Sequence, residues 1–181
     1  MSSKRRSAAL IAGPVLAIVT AAVVSAGSDG PRHAGGTFAD ASGATIGSIH
    51  LTEDVRGNVH VNVEVHGLTP GLHGIHIHAV GACAPTFAAA GGHYNPLGHQ
   101  HGLENEAGPH AGDLPNLEVN VRGNGHLHGM TDRVTLAAGS TTLFDADGSA
   151  FIIHANPDDQ VTDVGNGGSG ARIACAVISP E

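Results

Sequence analysis

Apolar and polar residues alternate over Val59, Val61, Val63 and Val65, with His60, Asn62, Glu64 and His66 between them. Side chains two apart on a strand share a face, so this segment reads as a half-buried strand with both histidines on the solvent side. Leu117, Val119 and Val121 repeat the pattern, and Arg122-Gly123-Asn124-Gly125 follows as a turn signal. His126 and His128 then stand two apart, with Leu127 facing the other way. That spacing suits a metal, but the polar face of a strand is the preferred reading. Further short strand-like runs are Thr45–Leu51, Arg133–Leu136, Ala150–His154 and Ile173–Ile178. Beyond the N-terminal region no stretch carries a long helical period. Two long irregular stretches separate the runs, about 81–114 and 155–171. Loops of that length usually carry function or order themselves around something. Many short strands with two such loops predict an all-β antiparallel sandwich or barrel.

Both long loops begin just after a histidine-bearing strand. The first follows Gly71-Leu72-His73-Gly74-Ile75-His76-Ile77-His78. On a strand, His76 and His78 aim two imidazoles at one point. His93, His101, His110, Asp113 and His154 lie downstream, among glycines and turns. Neutral imidazoles and carboxylates are ligands for zinc and copper. Most of the chain's 14 histidines should be surface residues, and it is the spacing of this set that singles it out.

The N-terminal region stands apart from the alternating pattern. Lys4, Arg5 and Arg6 precede an almost uncharged apolar run from Ala8 to Val24, and Val24-Ser25-Ala26 offers small residues for cleavage. Residues 1–26 therefore read as a signal peptide, with a retained N-terminal anchor as the alternative. Residues 27–35 read as a Gly/Ser/Pro-rich linker, and 36–181 as one domain. Cleavage would leave five arginines, no lysine and all sixteen acids, a formal charge of −11. Such a chain lacks the basic face that nucleic acid requires, and after cleavage it would have no stable membrane partner. Export makes a Cys83–Cys175 disulfide the expectation, against a competing copper–thiolate reading.

Taken in order, His76-x-His78, Gly91-Gly92-His93-Tyr94-Asn95-Pro96, His101-Gly102, Gly108-Pro109-His110-Ala111-Gly112-Asp113-Leu114, Ile153-His154 and Gly170-Ala171-Arg172-Ile173-Ala174-Cys175 resemble the copper/zinc superoxide dismutase family, in particular its secreted bacterial members. The resemblance runs from about Gly36 to Ile178. It implies a Greek-key β-barrel of about eight antiparallel strands and dismutation of superoxide to oxygen and hydrogen peroxide. It also implies copper on His76, His78, His93 and His154, and zinc on His93, His101, His110 and Asp113, with His93 shared. Asp158 matches a carboxylate that links the two ligand sets, and Asp159 is a near-equal alternative. Arg172 matches a cation that attracts superoxide beside the copper. By the same pattern His101 rather than His99 is the ligand, and His73 braces the copper strands.

The chain departs from the family in one respect. Many members carry lysines that draw superoxide in, and the cleaved chain has none. Its overall charge would repel the substrate at long range and lower the encounter rate. The family does not fix the subunit state, which stays open between monomer and homodimer. A non-catalytic copper/zinc carrier or buffer on the same fold is the main rival reading, and an anchored interaction domain with structural metals is a second. A carrier has no need of the bridging histidine together with the guiding arginine.

Overall fold

The computed structural model describes residues 32–164 and 166–181. The proposed signal or anchor segment, 1–26, and most of the proposed linker lie outside the described residues. Ten strands form a single antiparallel sheet: β1 (His33–Asp40), β2 (Thr45–Glu53), β3 (Val59–Val65), β4 (Gly71–His73), β5 (Ile75–His78), β6 (Leu117–Val119), β7 (Gly125–Thr131), β8 (Ala150–His154), β9 (Arg172–Val177) and β10 (Ser179–Pro180). The order is β4-β6-β7-β3-β2-β1-β9-β8-β5, with β10 pairing β1. The two ends of this path, β4 and β5, are separated in sequence by Gly74 alone, so the sheet curls into a nearly closed barrel. Counting β4 and β5 as one interrupted strand, and setting aside the two-residue β10, leaves eight principal strands. From β3 the chain crosses to β4, then returns through β6 and β7 to pair with β3. This is a Greek key.

The alternation seen in the sequence maps onto burial. Val59, Val61, Val63 and Val65 are buried in β3, while Asn62 and Glu64 are exposed. In β7 Leu127 points inward, and His126 and His128 point to solvent. Phe38, Ile49, Leu51, Leu117 and Phe151 fill the barrel. Aliphatic burial at roughly 25 cal/mol per Å² is the main stabilising term where aromatics are so few.

Three expectations need correction. First, β1 begins at His33, inside the stretch read as linker, and Ala34 is fully buried. The strand was hidden because Gly35 and Gly36 carry no side chain to show a period. Here the glycines allow close approach: a Cβ on Gly36 would lie 2.5 Å from the Val177 carbonyl oxygen. Second, Arg133–Leu136 is not a strand. Val134 and Leu136 are buried, but Thr135 makes only an isolated bridge to Thr142. The segment from Asp132 to Ser149 is therefore a third long connection, which packs Leu143 into the core. Third, Val121 lies in the turn after β6 and is exposed.

The long connection between β5 and β6 docks on the edge of β5. Tyr94 N donates to Ile77 O at 2.8 Å, Ile77 N to Gly112 O at 2.9 Å, and Ala79 N to Gly92 O at 2.9 Å. These bonds cover an edge that would otherwise present free backbone groups. They also set His93 opposite His78, and Asp113 opposite His76. A disulfide joins Cys83 in this loop to Cys175 in β9, closing 92 positions.

Candidate metal centre

His76 and His78 project from β5, and His154 ends the neighbouring β8. The docked loop supplies His93. All four are buried, and one nitrogen from each lies within 4.8 Å of the others. Their hydrogen bonding separates the two nitrogens of every ring. His78 Nδ1 donates to Gly91 O at 3.0 Å and His154 Nδ1 to Gly170 O at 3.1 Å. His76 Nε2 donates to Asp158, and His93 Nδ1 to Asp113 Oδ1 at 3.1 Å. The remaining nitrogens, His76 Nδ1, His78 Nε2, His93 Nε2 and His154 Nε2, are buried and have no protein partner. Buried polar atoms are normally satisfied. Four unsatisfied lone pairs in one pocket, with the opposite ring positions held, have the chemistry of a metal site.

Burial removes water from these rings and disfavours their cationic form. It lowers His76 to about 3, His78 to about 2 and His154 to about 4, and depresses His93 as well. The Arg172 charge contributes to the shifts of His78 and His154. The imidazoles are therefore neutral, as ligands must be.

A second convergence lies on the other side of His93. The Nδ1 atoms of His93, His101 and His110 stand 3.1, 3.0 and 3.4 Å from the same oxygen, Asp113 Oδ1. The donors on this side that lie within 4.8 Å of one another are those of His76, His93, His101 and Asp113, a group that does not include His110. His76 Nε2 is engaged by Asp158 and its Nδ1 faces the first group, whereas His110 Nδ1 lies 3.4 Å from His93 Nδ1 as well as facing Asp113. Asp113 Oδ2 accepts from Gly102 N and His110 N, both at 2.9 Å. Burial opposes ionisation of Asp113, but the bonds from the His101, His110 and His93 rings, with Gly102 N, outweigh it and hold the carboxyl far below its usual range.

Asp158 joins the two sets. It accepts from His76 Nε2, and its Oδ2 lies 2.9 Å from His101 Nε2. Asn116 clamps its backbone, accepting from Asp158 N and donating to Asp158 O, each at 2.8 Å. Asp159 instead bonds the backbone of Val161 and Thr162 and is exposed. His101 sits between two carboxylates. Burial works against its cation, but Asp113 and Asp158 raise it to about 9. His99 is exposed and reaches only Pro109 O. His73 is buried, with Nδ1 2.7 Å from His154 O and Nε2 2.9 Å from Thr69 O, so it ties β4 to the end of β8.

Arg172 pairs with His154 across β8 and β9. Its Nη1 donates to Phe87 O at 2.7 Å and its Nη2 to Gly91 O at 2.6 Å. Gly91 O thus accepts from both Arg172 and His78. Gly91 has φ +73, a left-handed conformation that glycine adopts without strain. The guanidinium is held by the loop it faces, and keeps three of its five N–H groups for other partners.

Two contributors escaped the sequence reading. Asn116 carries no motif, and its loop-clamping role exists only across 42 positions. Arg133 donates from Nη2 to Asp113 O at 2.6 Å, bracing that residue's backbone. Its only sequence signal is that it is one of few cations in an acidic chain.

A β-barrel that brings two groups of buried histidines together has the donor set of a metal-binding protein, and comparison with known proteins makes the class specific. The family model described as copper/zinc superoxide dismutase matches residues 45–178, and the chain belongs to that family. It is 43% identical over 139 residues to superoxide dismutase [Cu-Zn] 2 of Aquifex aeolicus, covering 75% of this chain and 80% of the relative. Superoxide dismutase-like protein YojM of Bacillus subtilis is 41% identical over 139 residues, covering 75% and 70%. The crystal structure of Cu/Zn superoxide dismutase from Brucella abortus superposes with a TM-score of 0.66 at 28% identity, covering 81% of this chain and 99% of that one.

Proposed function

We propose that the protein dismutes superoxide, with copper held by His76, His78, His93 and His154 and zinc by His93, His101, His110 and Asp113. The observation that carries this reading is the set of four buried, unpartnered nitrogens beside a fixed arginine. Copper bound there would supply one-electron chemistry, taking an electron from one superoxide and returning it to a second, which with two protons leaves as hydrogen peroxide. His93 holds the chemistry together from the protein side. Asp113 fixes its Nδ1 side, and its Nε2 is the atom at which a proton is held and passed on between half-cycles. Arg172 holds a positive charge beside His78 and His154. Asp158 orients a ring from each set, so neither can rotate independently. A four-ligand His/Asp zinc site is closed and structural, and it would pin the loop from Gly81 to Leu114. The disulfide and the family fit an exported protein. Among the described residues no helix is long and apolar enough to cross a membrane.

Metal analysis of the purified protein together with a superoxide assay tests this reading. One copper and one zinc per chain with rapid dismutation is the expected result. Both metals without turnover would overturn it in favour of a non-catalytic carrier.

A further inference from the structure

A second His-x-His pair lies outside the interior centre, on the outer face of β7. His126 and His128 are both exposed, with buried Leu127 between them. The register sets Glu64 of β3 directly across from His126 on one side and Glu118 of β6 on the other. Opposed residues on paired strands have Cβ atoms about 4.5–5.5 Å apart, and residues two apart on a strand are about 7 Å apart. Two imidazoles and two carboxylates therefore rise from one small patch of sheet. Glu64 and His126 also line a surface depression of about 500 Å³, whose walls include the side-chain-free Gly47 and Gly125.

Most other surface histidines are already bonded: His33 meets Thr52, His50 meets Glu181, His60 meets Asp54 and His99 meets Pro109 O. His66 is exposed and its side chain, among the described residues, is unbonded like the pair on β7; it lines the same depression, but it stands one position past the end of β3. Among the described residues, the side chains of His126, His128, Glu64 and Glu118 form no hydrogen bond or ion pair with the protein. All four are exposed and free to turn toward a common point.

We propose that His126, His128, Glu64 and Glu118 bind one exchangeable divalent transition-metal ion, zinc or copper(II), on the outer face of the barrel. Two neutral nitrogens and two carboxylate oxygens suit both ions, and the two negative charges balance the ion's charge. The donors must give up side-chain freedom to converge, so this site is weaker than the interior one, where the rings are already held. Copper(II) binds here more tightly than zinc, following the general order for nitrogen and oxygen donors. The inference stands apart from the proposed dismutation, because none of its residues belongs to the interior centre.

The test uses the full chain without a polyhistidine tag, loaded with copper and zinc and dialysed. Calorimetric titration with Zn²⁺ should then show one further equivalent. Titration with Cu²⁺ should add a second copper signal in electron paramagnetic resonance. In H126A/H128A that equivalent should vanish. E64Q/E118Q should weaken it about tenfold or more, a loss of about 1.4 kcal/mol per factor of ten. H50A/H60A should leave it unchanged. All three variants alter exposed side chains, and circular dichroism would verify their fold. The proposal is overturned if the parent takes up no further equivalent, if H126A/H128A binds it with unchanged affinity, or if H50A/H60A abolishes it.

Discussion

At the scale of single residues, His93 and Arg172 separate two functions. His93 has Nε2 among the unpartnered nitrogens of the first convergence and Nδ1 against Asp113 in the second. His93→Ala should therefore disturb both metals together: the copper spectrum changes, and zinc affinity falls at least about tenfold, the range seen even for outer partners of metal ligands. Metal titration with absorption spectroscopy would decide it, and an unchanged copper spectrum in the doubly loaded variant would falsify the bridge. Arg172 offers N–H groups and charge but no ligand lone pair. Arg172→Ala should leave both metals bound and lower kcat/KM by about 10-fold or more, within the range of electrostatic effects on encounter rates. Loss of metal in that variant would instead make its bonds to Phe87 O and Gly91 O structural supports of the centre.

At the scale of elements, the loop between β5 and β6 has three fastenings: backbone bonds to β5, the disulfide to β9, and Arg172. Cross-linking residues so far apart in sequence limits the unfolded chain. Replacing both Cys83 and Cys175 by alanine should lower stability by about 2–5 kcal/mol, read from denaturant unfolding of the metal-free protein. The same change should weaken copper binding, because the carbonyl of Gly91 that orients His78 rides on this loop. Full stability in the double variant would show that the β5 contacts suffice. The loop after β8 relies on Asn116, whose two bonds fix the backbone of Asp158.

For the whole molecule, charge and pH give separate predictions. Arg172 attracts locally, while the acidic surface repels from farther off, and about 10 Å is the screening length at 0.1 M salt. Moderate salt should therefore hold the dismutation rate level or raise it slightly. A steep fall at constant metal content would reveal an attractive field from the arginines. In the metal-free protein, His76, His78 and His154 are neutral when folded down to about 3, 2 and 4, but take up protons near 6.5 when unfolded. The unfolded state then binds more protons, so stability falls as pH drops below about 6.5. His101 has the opposite sign. Its folded value is raised to about 9, so its contribution is full below about 6.5 and is lost as pH rises through 9. Thermal unfolding of the metal-free chain should thus show greatest stability between these limits, and a midpoint that keeps rising from pH 7 to 10 would contradict the His101 assignment.

The sequence by itself determined the all-β class, because alternation is a local property: β3 and β8 were legible to the residue, and β7 to its buried and exposed faces. It also marked the histidines that converge, since the His-x-His spacing and the glycine-flanked loop motifs survive in a linear reading. The tertiary structure alone decided what depends on distant partners. It set Asp158 rather than Asp159 between His76 and His101, because only the folded loop points one carboxylate inward. It gave β1 its start in a glycine pair with no visible period, and turned Val134 and Leu136 into the core without a strand. It brought Asn116 and Arg133 to the centre, and engaged the Arg172 guanidinium with two loop carbonyls. Side-chain type and spacing are written in the chain, but register, loop closure and hydrogen-bond pairing are settled only when segments far apart in sequence compete for the same donors and space.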